Sequence, residues 1–73
     1  GQVTLSASVT TTTITDYRVG TESVIVFTPT TANAAAEQGG GTMFLSARAK
    51  QSFTITHANN SQTDRTFIYI VIG

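Results

Sequence analysis

His57, Ser61 and Asp64 are the residue types of a base, a nucleophile and an orienting carboxylate, and they lie within one short stretch of the chain. Acyl transfer by such a set needs the hydroxyl held beside its base and near donors that stabilise an oxyanion. No Gly-x-Ser-x-Gly elbow surrounds Ser61. His57 also continues the alternation of Phe53 and Ile55, which points it inward at the edge of a core, with a loop carbonyl as its expected partner. Glycoside hydrolysis would need two carboxylates flanking the bond to be cut. The only carboxylates, Asp16, Glu22, Glu37 and Asp64, fall in expected turns and loops, where solvated charge is ordinary. The sequence therefore predicts no catalytic residue and no enzyme activity.

Binding chemistry is sparse as well. Gly39-Gly40-Gly41 lacks the lysine and the following helix of a phosphate-binding loop and reads as a connection. Asn59-Asn60-Ser61 matches the glycosylation sequon, a short pattern that chance often produces. The exposed candidates for ligand contact are Tyr17, Phe44, Arg48 and Lys50, together with the amides Asn59 and Asn60. Phe44 and Arg48 share parity on one strand, so a sugar ring stacked on Phe44 would meet the Arg48 guanidinium. The competing role for Phe44 is a place in a subunit interface. Asp64-Arg65 would cap a loop or pair Arg65 with a neighbouring chain's carboxylate.

Composition excludes more than it suggests. Cysteine is absent and histidine occurs once, which removes disulfides, thiolate zinc sites and histidine-rich metal sites. No metal and no cofactor is expected. Charged residues are 11% of the chain with a formal net charge of zero, and four scattered cations (Arg18, Arg48, Lys50, Arg65) do not form the basic patch that nucleic acid requires. The apolar runs are far shorter than the ~18 residues of a membrane span, and there is no signal-peptide pattern at the start. Gly1 in place of Met, and the abrupt entry into Val3-Thr4-Leu5, suggest the C-terminal fragment of a longer protein. With 73 residues, no disulfide and no metal, oligomerisation is the remaining way to reinforce a small core.

These side chains would be positioned by strands. Threonine dominates the polar residues, and its branched side chain suits a pleated surface. Val3, Leu5, Ala7 and Val9 alternate with small polar residues, but Ile14 falls on the opposite parity, so a bulge or a break into two strands must intervene. Residues 16–21 form a turn, with Gly20 expected at positive φ. Val24-Ile25-Val26-Phe27 is apolar on both faces, and Pro29 ends regular ladder pairing there unless the strand sits at a sheet edge. Residues 30–38 predict a long connection between sheets with about one helical turn, capped by Thr30 or Thr31 and stopped by the glycines. Met43, Leu45, Ala47 and Ala49 alternate with Phe44, Ser46, Arg48 and Lys50. A tight turn at Gln51-Ser52 leads to Phe53, Ile55 and His57, then to a polar loop. Residues 1–73 thus predict one all-β domain, a small antiparallel sandwich of five to six strands.

The last strand, Arg65 to Ile72, is the most informative. Phe67, Tyr69 and Val71 point one way, and Ile68, Ile70 and Ile72 the other. A chain this short rarely covers both faces of a strand. The expected oligomer interface is therefore Phe67, Ile68, Tyr69, Ile70, Val71 and Ile72 with Phe44, and the expected partner is another copy of the chain.

The stretches from Ser23 to Ala35, Phe44 to Arg48, Ser52 to Asn60 and Arg65 to Gly73 together resemble small C-terminal β-domains of tailed-bacteriophage tail fibres and tailspikes. The Phe-Thr-Ile strand, the Asn-rich loop and the terminal apolar strand ending in Ile-Gly also resemble H-type lectins. The resemblance spans residues 9–73 and implies a homotrimeric antiparallel sandwich with six strands. It further implies a location on the virion, extracellular on release, and recognition of bacterial surface polysaccharide or another host receptor. Tryptophan is absent, and no lectin sugar site maps onto the chain residue by residue. The alternative within the same setting is a purely structural virion module, as in a capsid decoration or head fibre.

Overall fold

The computed structural model describes residues 1–73, and nearly half of them pair into strands. In chain order these are β1 (Gln2–Thr4), β2 (Thr11–Thr15), β3 (Val24–Pro29), α1 (Ala32–Gly39), β4 (Phe44–Ala49), β5 (Ser52–Thr56) and β6 (Thr66–Ile72). They form two three-stranded antiparallel sheets: sheet I in the order β1-β6-β3 and sheet II in the order β2-β5-β4. All-β architecture and six strands match the expectation. The final strand lies in the middle of its sheet, bonded on both edges.

Parity decides which side chains fill the space between the sheets. From sheet I, Val3, Ile25, Phe67 and Tyr69 point inward; from sheet II, Phe53 and Ile55 do; Leu5, Val19 and Ala34 complete the buried cluster. Four rings interlock across the gap, with Phe53 edge-on to Tyr69 at a centroid distance of 5.2 Å and Phe27 5.9 Å from Phe53. Such tilted pairs align ring edges with ring faces and add to simple area burial.

The parity change near Val9 is a break. β1 belongs to sheet I and β2 to sheet II, so inward positions pass from odd (Val3, Leu5) to even (Thr12, Ile14) across the intervening turn. That turn places Ser8 at φ 62. Pro29 sits on β3, an edge strand, as its missing N–H demands. Gly20 does not take positive φ; its N–H is bonded to Ser23 Oγ at 2.8 Å instead. Gln51 does, at φ 68, in the β4–β5 hairpin.

The connection from sheet I to sheet II is more helical than expected. α1 has eight residues; the Thr31 side chain accepts from the Ala34 N–H at 3.0 Å, and the Gly40 N–H closes the C-terminus on Ala36 and Glu37 carbonyls. Gly41 at φ +82 then turns the chain into β4. Eight residues would not hold a helix alone in water. Packing of Ala34 and Glu37, one turn apart on one face, holds it here.

Candidate functional site

Three places on this frame concentrate chemistry: a buried polar cluster at one end, a carboxylate at the other, and an apolar surface between them.

The buried cluster gathers Arg65, Glu37, His57 and Thr12, all inaccessible or nearly so. Arg65 has the parity of Phe67 and Tyr69, so its guanidinium goes into the sandwich. There Nη1 donates to Glu37 Oε1 and to the Ala58 carbonyl, each at 2.8 Å, and Nη2 donates to the Ser6 carbonyl at 2.9 Å. Nε is the one buried side-chain polar atom without a partner. The second Glu37 oxygen accepts the Ala58 N–H at 3.0 Å. Burial alone would raise the Glu37 pKa; the Ala58 N–H and the Arg65 guanidinium outweigh it, and the carboxyl stays below its ordinary value. His57 spans the cluster, with Nδ1 3.0 Å from the Ala58 carbonyl and Nε2 2.7 Å from Thr12 Oγ1. With the proton assigned to Nδ1, Nε2 accepts from Thr12, whose oxygen in turn accepts the Ser6 N–H at 2.9 Å.

The expectation for His57, a core-edge histidine bonded to a loop carbonyl, agrees with this geometry. Glu37 departs from its expectation: it is buried rather than a solvated loop charge, because α1 turns it toward Arg65. Of the two roles expected for Arg65, it caps the loop through the Ala58 carbonyl, but its carboxylate partner belongs to its own chain rather than a neighbour's. Ser61 is exposed and makes no bond to His57, and Asp64 Oδ1 accepts from Asn33 Nδ2 at 2.7 Å, so the triad types are not assembled. Arg65 carried a usable signal in the sequence: an inward-parity cation beside an apolar strand requires a buried carboxylate.

At the opposite end Asp16 is buried too, again against the expectation of a solvated turn residue. Arg18 bonds it through Nε at 3.0 Å and Nη2 at 2.7 Å, and the Tyr69 hydroxyl donates to Oδ2 at 2.7 Å. The Arg18 side chain first, then Tyr69 and the Arg18 backbone N–H, hold the Asp16 carboxyl far below the usual carboxylate range. Burial pushes the Tyr69 hydroxyl up, and its bond to Asp16 pushes it further.

The sequence-predicted ligand residues divide between these ends. Tyr17, 81% exposed, follows β2 beside the β4–β5 hairpin, and Arg48 lies at the same end, donating to the Ser23 carbonyl at 2.8 Å. Asn59 and Asn60 lie at the far end, where the Asn60 carbonyl accepts the Ser8 N–H at 2.7 Å. About five residues of strand, or roughly 17 Å, separate the two groups. The Phe44–Arg48 strip is not formed. A β-bulge between Leu45 and Ala47 shifts the register, so Phe44 stands opposite outward Thr56 while Arg48 stands opposite inward Phe53.

The apolar surface is the outer side of sheet I. Of the expected interface residues, Phe67 and Tyr69 lie in the core and Val71 packs against it, so none of the three is free for a partner. Phe44 is 58% exposed but belongs to sheet II. Ile68, Ile70 and Ile72 remain on the outer face of β6, joined by Val24 and Val26 of β3, and these five are 45–58% exposed. Across the sheet they stand in ranks: Val24 with Ile72, Val26 with Ile70, Ile68 between Thr28 and Gln2, and at the last rank Thr66 with Thr4. A shallow depression lies among Val26, Thr28, Ile68 and Ile70. No helix is long and apolar enough to cross a membrane.

No protein-family model, curated protein or solved structure matches the chain.

Proposed function

We propose that the chain is a non-enzymatic assembly and attachment module, the tip domain of a bacteriophage tail fibre or tailspike, in which three copies join and present loops to the host. The observation that carries the assembly part is the outer face of sheet I. Five half-exposed aliphatic side chains stand there side by side with no charge among them. A contiguous apolar patch of several hundred Å² is at the upper end for a monomer and marks an interaction surface. Burying such surface stabilises association by about 25 cal/mol per Å². The phage setting rests on the resemblance of the strand and loop sequences. Light scattering at micromolar concentration is the test: a trimer is expected, and a folded monomer overturns assembly.

Receptor contact, with a surface polysaccharide as the expected ligand, draws on the exposed Tyr17 and Asn59. Glycan arrays and host-cell binding test it. One observation favours the purely structural alternative, a capsid decoration or head-fibre module. Tyr17 and Arg48 lie at one end and Asn59 and Asn60 at the other, so no single copy gathers them into one site. Capture of capsid protein rather than polysaccharide from a phage lysate would select that alternative.

A further inference from the structure

We propose that the free edge of β2 is a strand-addition site, which takes an extended, uncharged segment of a partner polypeptide antiparallel to Thr11–Thr15. This site is independent of the assembly proposed above, because it uses the backbone of sheet II rather than the outer face of sheet I. Hydrogen bonding fixes which groups are open. The His57 N–H bonds the Thr10 carbonyl at 2.8 Å and the Asp16 N–H bonds the Gln51 carbonyl at 2.9 Å, so the even residues of β2 turn toward β5. Thr11, Thr13 and Thr15 therefore turn their N–H and C=O groups the other way, where β2 has no neighbouring strand and no loop backbone bonds them. All three residues are exposed.

Proteins usually blunt such an unpaired row, and the other three edges here are blunted. β1 has only three residues, β3 ends in Pro29 with α1 packed against it, and β4 is broken by the bulge between Leu45 and Ala47 and carries Arg48. β2 has none of these devices. Its register runs unbroken from Thr11 to Thr15, with no charge and no proline.

The same edge selects its occupant. Open N–H and C=O groups at alternate residues are paired by an extended backbone, and main-chain bonds then supply the affinity. Two folded partners need about 800 Å² from each for a stable interface. A strand edge about 17 Å long is too small to hold a second folded copy that way, but it matches one added strand. Side chains set the composition of that strand. Residues opposite Thr11, Thr13 and Thr15 join the outer face, where the Thr13 and Thr54 hydroxyls already bond across the sheet at 3.0 Å, so hydroxyl side chains extend the ladder. The residue opposite Ile14 covers a side chain that is only partly buried, and is aliphatic. The partner segment is thus a proline-free run that alternates hydroxyl and aliphatic residues.

Amide-resolved NMR with the capped peptide Lys-Thr-Val-Thr-Val-Thr-Lys, its lysines added for solubility, tests the site. The Thr11, Thr13 and Thr15 amide signals should shift, and their hydrogen exchange should slow about tenfold when free peptide is about ten times its Kd. The peptide N-methylated at its central threonine cannot donate to the Thr13 carbonyl and should leave these signals unmoved. Thr13→Pro removes an N–H that β5 does not use, so it should abolish binding with the fold retained. No shift at millimolar peptide, or equal shifts with the methylated peptide, overturns the site whether or not Thr13→Pro folds. Shifts of the same three amides with protein concentration alone make a second copy the occupant and overturn the partner segment. A monomer in light scattering overturns the assembly through sheet I and leaves these expectations in place.

Discussion

Arg65 Nη1 lies 2.8 Å from Glu37 Oε1, in a pair whose side chains are 0% and 4% exposed. It joins the last strand to a helix that precedes it by 28 positions, and both also bond the backbone of Ala58. Removing one partner leaves the other charged and dry. Arg65→Ala should cost about 3–5 kcal/mol, the range for a broken buried pair. Arg65→Lys should recover only part of that, since one ammonium cannot serve Glu37, Ala58 and Ser6 from the same fork. Urea unfolding followed by circular dichroism measures both; a midpoint unmoved by Arg65→Ala would show the pair to be dispensable.

Acid should unfold the domain through two carboxylates. Glu37 and Asp16 both have folded pKa values below their ordinary ones. Their contribution is complete above the unfolded values near 4 and is lost as pH falls toward the folded ones. Stability measured from pH 6 downward should therefore drop below about pH 4. Asp16→Asn should flatten that limb, and an unchanged slope in this variant would assign the acid sensitivity elsewhere.

Alkali acts through Tyr69, whose folded pKa is raised. Its contribution is present below the unfolded value of about 10 and is lost as pH rises through the folded one. Tyr69→Phe should be less stable at neutral pH, because Asp16 loses the hydroxyl donor, and less sensitive to alkali. Thermal melts between pH 8 and pH 11 compare the two proteins.

Ile70 is 58% exposed, the highest value among the five apolar residues of the outer face. Ile70→Asp should leave the unfolding of an isolated copy nearly unchanged while shifting the assembly toward monomer at least tenfold, since a buried carboxylate without a partner is costly. Sedimentation velocity at several concentrations reads the shift. An unaltered oligomer would remove sheet I from the interface.

Gln51 holds φ 68 in the β4–β5 hairpin, a region that costs a residue with a Cβ about 1–2 kcal/mol. Gln51→Gly should raise stability by about 0.5 kcal/mol, the relief being offset in part by glycine's greater freedom when unfolded. A lower midpoint in denaturant would contradict it.

Alternation made much of the fold legible. Phe53, Ile55 and His57 are all buried on one face, and Ile68, Ile70 and Ile72 are all exposed on another, as period-2 patterning requires. Pro29 left two readings open, an end to pairing or an edge strand, and the structure shows the edge strand. What was not legible depended on local irregularity. A bulge at Ser46, whose hydroxyl bonds the Thr54 carbonyl at 3.2 Å, reversed the face of Arg48. Nothing in Ala47-Arg48-Ala49 announces it, because small residues fit either face.

The sequence by itself determined that strands would form, which strands carry apolar side chains on both faces, and that the last of these exceeds what so short a chain can cover. Side-chain alternation and β-branching are local properties, readable one residue at a time. Only the tertiary structure decided that β6 would be central, that its Phe67–Tyr69 face would be sealed and its Ile68–Ile72 face open, and that Asp16, Glu37 and Arg65 would lie inside. A charged side chain is buried when distant segments bring it a partner, and that pairing is set by how the two sheets close on each other.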